Sequence, residues 1–382
     1  MRKHKTRKHP KIVRLGEFFS GPGGFALGAK MAASGKPINL KHSWAVEADA
    51  NSCQTYIQNI LKGKSSVKRP DKIVINQRVE NISIKSLSGI DIFAFGFPCN
   101  DFSQVGERKG TDGKFGPLYE WGAKVLDSKK PKVFVAENVG GIRSANDGKA
   151  FDAILSRLAT AGPGYTLYVH FYKFEEYNVP QNRHRVVIVG VRNSMVSTGI
   201  SYQVPAPYSA KKMVTAQQAL KAIKYGDPSL PNNEEPRFTD EVRRRLSYIK
   251  PGENAWNSTI SEPELRLNVK GAKLSNIYRR LRPDRPSYTV TGSGGGGTHI
   301  YHWKEDRPLS NRERAALQSF PLSYRFSGGL TSVRKQIGMA VPPRGACSIF
   351  SSIFKTVFFR KRLRSSVAPN MGIRGPDRSS KR

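Results

Sequence analysis

At 382 residues the chain is too long for a single hydrophobic core, so one large and one smaller domain are expected. Hydrophobic residues make up 38%, enough for a folded globular protein. No run of 18 apolar residues marks a membrane span and no charged-then-apolar leader opens the chain, so a cytoplasmic protein is expected. Lys and Arg number 64 against 29 Asp and Glu, and a net charge of +35 points to a polyanionic partner, nucleic acid first.

The tails hold part of that charge. Residues 1–14 carry seven basic side chains and 355–382 carry nine with Asp377, together 15 of the 35 charges, so about 20 remain on the body. Three cysteines (Cys53, Cys99, Cys347) exclude a disulfide framework, and none lies in a CxxC pair, so no structural zinc is expected. His299 and His302 resemble half a metal site without a third ligand, so no metal is expected there either.

From residue 12 to 191, short apolar runs alternate with helix-like stretches, the pattern of a mostly parallel, doubly wound α/β sheet. Strands are predicted over 12–19, 42–47, 72–75, 91–96, 132–137, 166–171 and 185–191, with helices over 24–33, 50–61, 118–126 and 151–158. The first strand enters Phe18-Phe19-Ser20-Gly21-Pro22-Gly23-Gly24-Phe25-Ala26 just before a helix. Glycine there permits a tight turn and close approach of a ligand to the backbone. Glu47, about 20 residues on at a strand end, can accept from both ribose hydroxyls of an adenosine-containing cofactor. These two features leave NAD, FAD and S-adenosylmethionine open.

The strand at 91–96 ends in Gly96-Phe97-Pro98-Cys99-Asn100-Asp101-Phe102-Ser103, which poises a cysteine at the ligand face of the sheet. Further on come Glu137-Asn138-Val139 and Gln181-Asn182-Arg183-His184-Arg185. Between 194 and 288 the strand–helix rhythm stops, and the stretch is Pro-rich and polar with basic clusters. Ser287-Tyr288-Thr289-Val290 and a glycine run follow, then predicted helices over 311–318 and 344–357, and a tail expected to be disordered.

Gly-Phe-Pro-Cys-Asn-Asp-Phe-Ser closely resembles the catalytic loop of DNA cytosine-5 methyltransferases. Seven further blocks follow that family's order over about residues 12–345. The resemblance implies a Rossmann-like S-adenosylmethionine-dependent methyltransferase fold with a target-recognition domain. It implies Cys99 as nucleophile and Glu137, Arg183 and Arg185 as its catalytic partners, both arginines facing the site from one strand. The cofactor would be lined by Phe19, Gly21, Gly23, Gly24, Glu47, Asn81, Ile82, Pro98, Leu118, Met339 and Val341. Double-stranded DNA would be met by Ser103, Gln181, Arg243, Arg244, Arg245, Arg279, Arg280, Thr289 and Val290. A base must leave the duplex stack before chemistry on it, which requires a second surface to grip the flanking DNA.

The expected divisions are a basic tail (1–11), a catalytic and cofactor domain (12–193), a target-recognition domain (194–305), a return segment (306–357) and a basic tail (358–382), in a monomer. Asn81, Asn100 and Met339 depart from the family's commoner Asp, Gln and Asn. The compact size suggests a bacterial or phage modification enzyme of a restriction–modification system. A nicotinamide or flavin oxidoreductase would leave Cys99, Glu137 and the arginine pair unexplained. An RNA methyltransferase would carry a smaller recognition region, and a catalytically dead regulator would not retain every chemical residue.

Overall fold

The computed structural model describes residues 10–61, 69–97, 118–208, 213–268, 275–294 and 296–359. In chain order the first half contains β1 (Lys11–Phe18), α1 (Gly24–Ala33), β2 (Ile38–Glu47), α2 (Ala50–Tyr56), β3 (Val74–Asn76), β4 (Ile92–Gly96), α3 (Leu118–Lys129), β5 (Val133–Val139), α4 (Lys149–Thr160), β6 (Tyr165–Lys173) and β7 (His184–Arg192). Among the described residues there follow α5 (Asn193–Val196), α6 (Ala216–Leu220), α7 (Asp240–Ser247), α8 (Asn311–Leu317), α9 (Leu330–Met339) and α10 (Pro343–Ile353).

The strands form one sheet in the order β3-β2-β1-β4-β5-β7-β6, parallel except for β7, which runs antiparallel to both neighbours. Between β6 and β7 there is only a 3-10 turn at Phe174–Tyr177, too little chain for the helical crossover that parallel strands need. The chain reverses its direction across the sheet between β1 and β4, and ligands of open α/β sheets bind beyond the carboxyl ends of strands at such a switch.

Alternation along the strands sorts the two faces. Val13, Leu15, Ile92 and Ala94 point to a core shared with Phe25, Ala29, Ile349 and Phe350 of α1 and α10. Phe18, Phe93 and Phe95 point to the other, shared with Ala123 and Leu126 of α3 and Ile154 and Leu158 of α4. With both faces covered, β4 and β5 are buried almost throughout, as strands between two helical layers must be. The return of the chain is tight: a Cβ at Gly28 would stand 2.4 Å from Ala346 Cβ, so α1 and α10 approach as only glycine allows.

Local chemistry sets the helix starts. Asp49 accepts from the Ser52 N–H at 2.8 Å to begin α2, and Ser310 and Glu313 form a reciprocal capping box at α8. Several predicted limits shift: the strand expected from 42 begins at Ile38, the helix expected over 344–357 is α-helical to Ile353 and then widens into a π turn, and two further shifts have a local cause. The strand expected from 72 begins at Val74, because Pro70–Lys72 closes a 3-10 turn with proline at its first position. The helix expected over 50–61 is α-helical to Tyr56 and then widens into a π turn at Ile57–Leu61.

Beyond β7, packing is more dispersed. Met195, Val196, Ile200 and Tyr202 lie against the first sheet core. Ala216, Leu220, Leu281, Val290 and Ile300 join a third cluster with residues of α2, α8 and α9. A small cluster of Leu246, Ile249, Ile260, Leu265, Tyr278 and Tyr301 belongs to the irregular region itself. Among the described residues, no helix is long and apolar enough to cross a membrane.

Candidate active site

The carboxyl ends of β1, β2, β4 and β5 meet at the switch point. Beyond β1 the backbone turns through positive φ at Phe19 (53°), Gly21 (52°) and Gly23 (92°) to start α1. Each glycine answers a different demand. A Cβ on Gly24 would sit 2.2 Å from the Val341 carbonyl oxygen, so the segment after α9 presses directly on the loop. A Cβ on Gly21 would meet nothing within 4 Å, which leaves open space over the turn.

Glu47, at the end of β2, faces that space. Its Oε2 accepts from the Gly21 N–H at 2.8 Å and its Oε1 from the Asp49 N–H at 2.9 Å. Burial pushes its carboxyl up from the ordinary range, and the two N–H groups oppose that shift. Each oxygen keeps a lone pair for a ligand hydroxyl. Ile82 and Leu118, the first residue of α3, pack together in the second core, whereas Asn81 ends a 3-10 turn with its side chain exposed. Open space over a glycine turn, a carboxylate beside it and an apolar wall suit the adenosine part of a nucleoside cofactor.

Glu137 sits on β5 directly opposite Gly96 of β4. A Cβ at Gly96 would be 3.3 Å from Glu137 Oε2, so the carboxylate stands at the point where β4 exits. Arg185 Nε approaches Glu137 Oε1 at 3.0 Å as an ion pair, both side chains being largely buried. Register explains the pairing: Glu137 opposes Val187, and Arg185, two residues away, projects to the same face. Asn138 donates from Nδ2 to the Phe97 carbonyl at 3.3 Å and so holds the base of the segment that follows. Pro98, Cys99 and Ser103 lie outside the described residues.

Residues 180–183 pair with 287–290 like two short strands: the Ser287 N–H donates to Pro180, the Asn182 N–H to Ser287, and Thr289 Oγ1 to the Asn182 carbonyl at 2.6 Å. Gln181 is fully buried, accepting from the Val290 N–H at 2.8 Å and donating to Gln318 Oε1. Gln318 in turn donates to the carbonyls of Ile337 and Ala340 at the end of α9. Arg183 precedes β7 and is 3% exposed; it donates to the Val290 carbonyl at 3.1 Å and the Gly338 carbonyl at 3.0 Å.

Two expectations therefore need correction. Gln181 and Val290 offer no side chain to DNA, because both are sealed inside this junction. Arg183 donates to two carbonyls through its terminal nitrogens, while its Nε has no partner among the described residues; burial and the neighbouring Arg185 lower its affinity for a proton and Glu137 raises it.

Residues 13–355 match the family model of the C-5 cytosine-specific DNA methylases. The chain belongs to that family. It is 52% identical to the Type II methyltransferase M.BbvI of Brevibacillus brevis over 90% of this chain and 91% of that one. It is 37% identical to the Type II methyltransferase M.NgoFVII of Neisseria gonorrhoeae over 92% and 88%. A DNA modification methyltransferase encoded within a prophage of E. coli shares the fold with a TM-score of 0.67 at 20% identity, over 91% of this chain and 99% of that one. The chain is a DNA (cytosine-5-)-methyltransferase with a Rossmann-like sheet.

In this methyltransferase the arginines expected at DNA between 243 and 280 split into two groups. Arg280 is 4% exposed and donates to the carbonyls of His302, Trp303 and Leu246 while pairing with Asp306. Arg245 is 5% exposed, bonded to the Leu265 carbonyl at 2.7 Å and Glu241 at 2.6 Å, with its guanidinium 4.6 Å from the Tyr278 ring centre. Both were expected at DNA; both are instead internal struts. Arg244 is exposed but pairs with Glu262 and Glu264. Arg243 is exposed beside Phe238, and Arg279 lies half-buried over the Tyr288 ring, so these two keep guanidinium surface for a phosphate or base. Thr289 is half-buried with its hydroxyl already donated.

Met339 is 62% exposed, while Val341 is buried with its carbonyl against Gly24. His302 Nδ1 accepts from the N–H groups of Lys304 and Glu305, and His299 Nδ1 faces Arg314.

One supporting group was not singled out in the sequence. Glu17 in β1 is 1% exposed and accepts from Tyr56 Oη at 2.5 Å, beneath the glycine turn. Burial pushes its carboxyl up to about 8. A lone acid within the otherwise apolar run Leu15–Phe19 was the available signal.

Proposed function

We propose that this methyltransferase transfers a methyl group from S-adenosylmethionine to carbon 5 of a cytosine flipped out of a specific double-stranded DNA sequence. The names of its Type II relatives support a role as the modification enzyme of a restriction–modification system. We infer that it acts as a cytoplasmic monomer. The observation that carries the reading is the placement of Glu137, ion-paired to Arg185, beside Gly96 three residues before Cys99.

Cytosine C5 is a weak nucleophile until a group adds at C6, and a thiolate is suited to that addition. Cys99 adds at C6 and electron density moves toward N3, where Glu137 holds a shared proton. Arg185 keeps the carboxylate oriented to that edge of the base. Bound at Glu47 and the glycine turn, S-adenosylmethionine supplies the methyl group as an electrophilic sulfonium. Loss of the C5 proton then expels the Cys99 thiolate. Phe19, Gly21, Gly23, Gly24, Ile82, Pro98, Leu118 and Val341 would line the cofactor, with Asn81 and Met339 at its margin. Recognition would fall to a domain within 194–305 presenting Arg243, Arg244, Arg279 and Thr289, aided by Ser103, while 306–357 returns to close the catalytic domain.

Duplex DNA bearing 5-fluorocytosine tests the mechanism, because fluorine cannot leave as a proton does. With S-adenosylmethionine the wild-type enzyme should become covalently attached to it, and Cys99→Ala should not. A Cys99→Ala enzyme that still methylates plasmid DNA, read by bisulfite sequencing, would refute the covalent route.

A further inference from the structure

Several buried guanidiniums among the described residues donate to main-chain oxygen, though Arg183, Arg192 and Arg280 each keep a buried Nε without a partner. Arg312, fully buried on α8, donates to the carbonyls of Pro231, Pro321 and Tyr324. Arg314, two residues on and 1% exposed, is different: its Nη2 faces Nδ1 of His299 at 3.1 Å. Arg334, half-buried on α9, stands near enough to depress proton binding at both. Among the described residues its Nε is buried without a partner, and its Nη2 donates to Thr331 Oγ1 at 3.4 Å. Among the described residues, no carboxylate forms an ion pair with Arg314 or Arg334.

His299 cannot supply the missing negative charge. Burial, then Arg314 and Arg334, push its imidazole down to about 4, so it is neutral near pH 7. With Nδ1 accepting from Arg314, its proton sits on Nε2 and the ring offers a second donor. The glycine segment after Val290 lies against the same group: a Cβ on Gly294 would be 3.7 Å from Arg334 Cδ, and one on Gly292 would be 3.0 Å from the Lys335 carbonyl oxygen. Two guanidiniums and a neutral donor, partly out of water and with the nearby Glu313 already paired to Arg307, are costly to maintain unless an anion joins them. A guanidinium fork matches the paired oxygens of a phosphate.

We propose that Arg334, backed by Arg314 and His299, is a phosphate-binding site that grips one phosphodiester of the duplex and seats the glycine segment against the DNA backbone. The proposal rests on duplex DNA being the substrate. Such a contact positions the protein without reading sequence.

The test compares wild-type, Arg334→Ala and Arg334→Lys full-length enzymes on a duplex containing the methylation site. Log affinity against log salt should lose about 0.9 of its slope in Arg334→Ala, the share of one phosphate, with binding about tenfold weaker. Phosphates replaced singly by uncharged methylphosphonate should reveal a position that weakens wild-type binding but no longer affects Arg334→Ala. Arg334→Lys should restore the sensitivity at that position. An Arg334→Ala enzyme that melts like wild type and shows an unchanged slope and methylphosphonate profile overturns the proposal while leaving the methyltransferase reading intact. Inorganic phosphate that saturates the free protein, with that same unchanged profile, assigns the site to a free anion and also overturns it. Wild-type enzyme that binds no duplex would remove the substrate reading itself.

Discussion

Arg185 and Arg280 both stand beside a carboxylate, yet they belong to regions built on different principles. At the carboxyl ends of the central strands, position follows from strand pairing: Gly96 opposes Glu137, Glu137 opposes Val187, and Arg185 must then share a face with Glu137. Among the described residues between 213 and 305 there is little regular structure to set positions, and guanidiniums bonded to carbonyls do so instead. In a regular region an arginine is free to serve the site because the backbone is already satisfied. In an irregular one, unpaired carbonyls claim it first. A basic cluster in such a region is therefore as much scaffold as DNA surface.

Substitutions on the two sides of that division should separate cleanly. Arg280→Ala removes the donor to three carbonyls and leaves Asp306 without its partner, and should destabilise the fold by about 3 kcal/mol in urea denaturation. Arg243→Ala, exposed beside Phe238, should change stability by less than about 0.5 kcal/mol while reducing the salt dependence of DNA binding. If Arg280→Ala kept the wild-type midpoint and lost only DNA affinity, the distinction between strut and contact would fail.

The sheet was legible because its apolar runs alternate with helices and end in motifs, so Glu47 and Glu137 could be placed at strand ends before any coordinates. The antiparallel setting of β7 follows from a connection without a helix, which composition does not mark. Helix α9 was not foreseen as a helix, since Leu330–Met339 is weakly apolar and is fixed by contacts to Thr55, Gln318 and Arg183. Gln181 and Val290 were misread for a related reason. A motif fixes which residues matter, but the direction of a side chain depends on where the nearest unpaired backbone group lies. For Gln181 that group is the Val290 N–H, more than a hundred residues away.

Glu17 sharpens the comparison from the sheet side, because it is a buried charge-bearing group that strand pairing alone does not satisfy. Its Oε1 has no hydrogen-bond partner among the described residues, and its carboxyl is raised to about 8 against an ordinary value of 4.5. A raised carboxyl favours the protonated form in the folded state. Its contribution to stability is complete below about pH 4.5 and is lost as pH rises toward 8. The difference in unfolding free energy between wild type and Glu17→Gln should accordingly fall across that window and level off above it. A pH-independent difference would mean that the carboxyl is solvated in the folded protein.

The smallest effect is expected where the sheet's ligand end and the irregular region touch, at Met339. Here the backbone carries the structure: Arg183 holds the Gly338 carbonyl, Gln318 the Ala340 carbonyl, and the Val341 carbonyl packs on Gly24. The Met339 side chain projects outward, 62% exposed, and holds none of these contacts. Met339→Asn should therefore leave stability within about 0.5 kcal/mol, and calorimetry should find S-adenosylmethionine bound equally well or more tightly through the added amide. Glu47→Ala sets the scale for a real loss at this site, because removing a charged acceptor should cost about 1.5–3 kcal/mol of binding. If Met339→Asn weakened the cofactor on that same scale, the exposed methionine would be a wall of the pocket, and the backbone of 338–341 would not be sufficient to shape it.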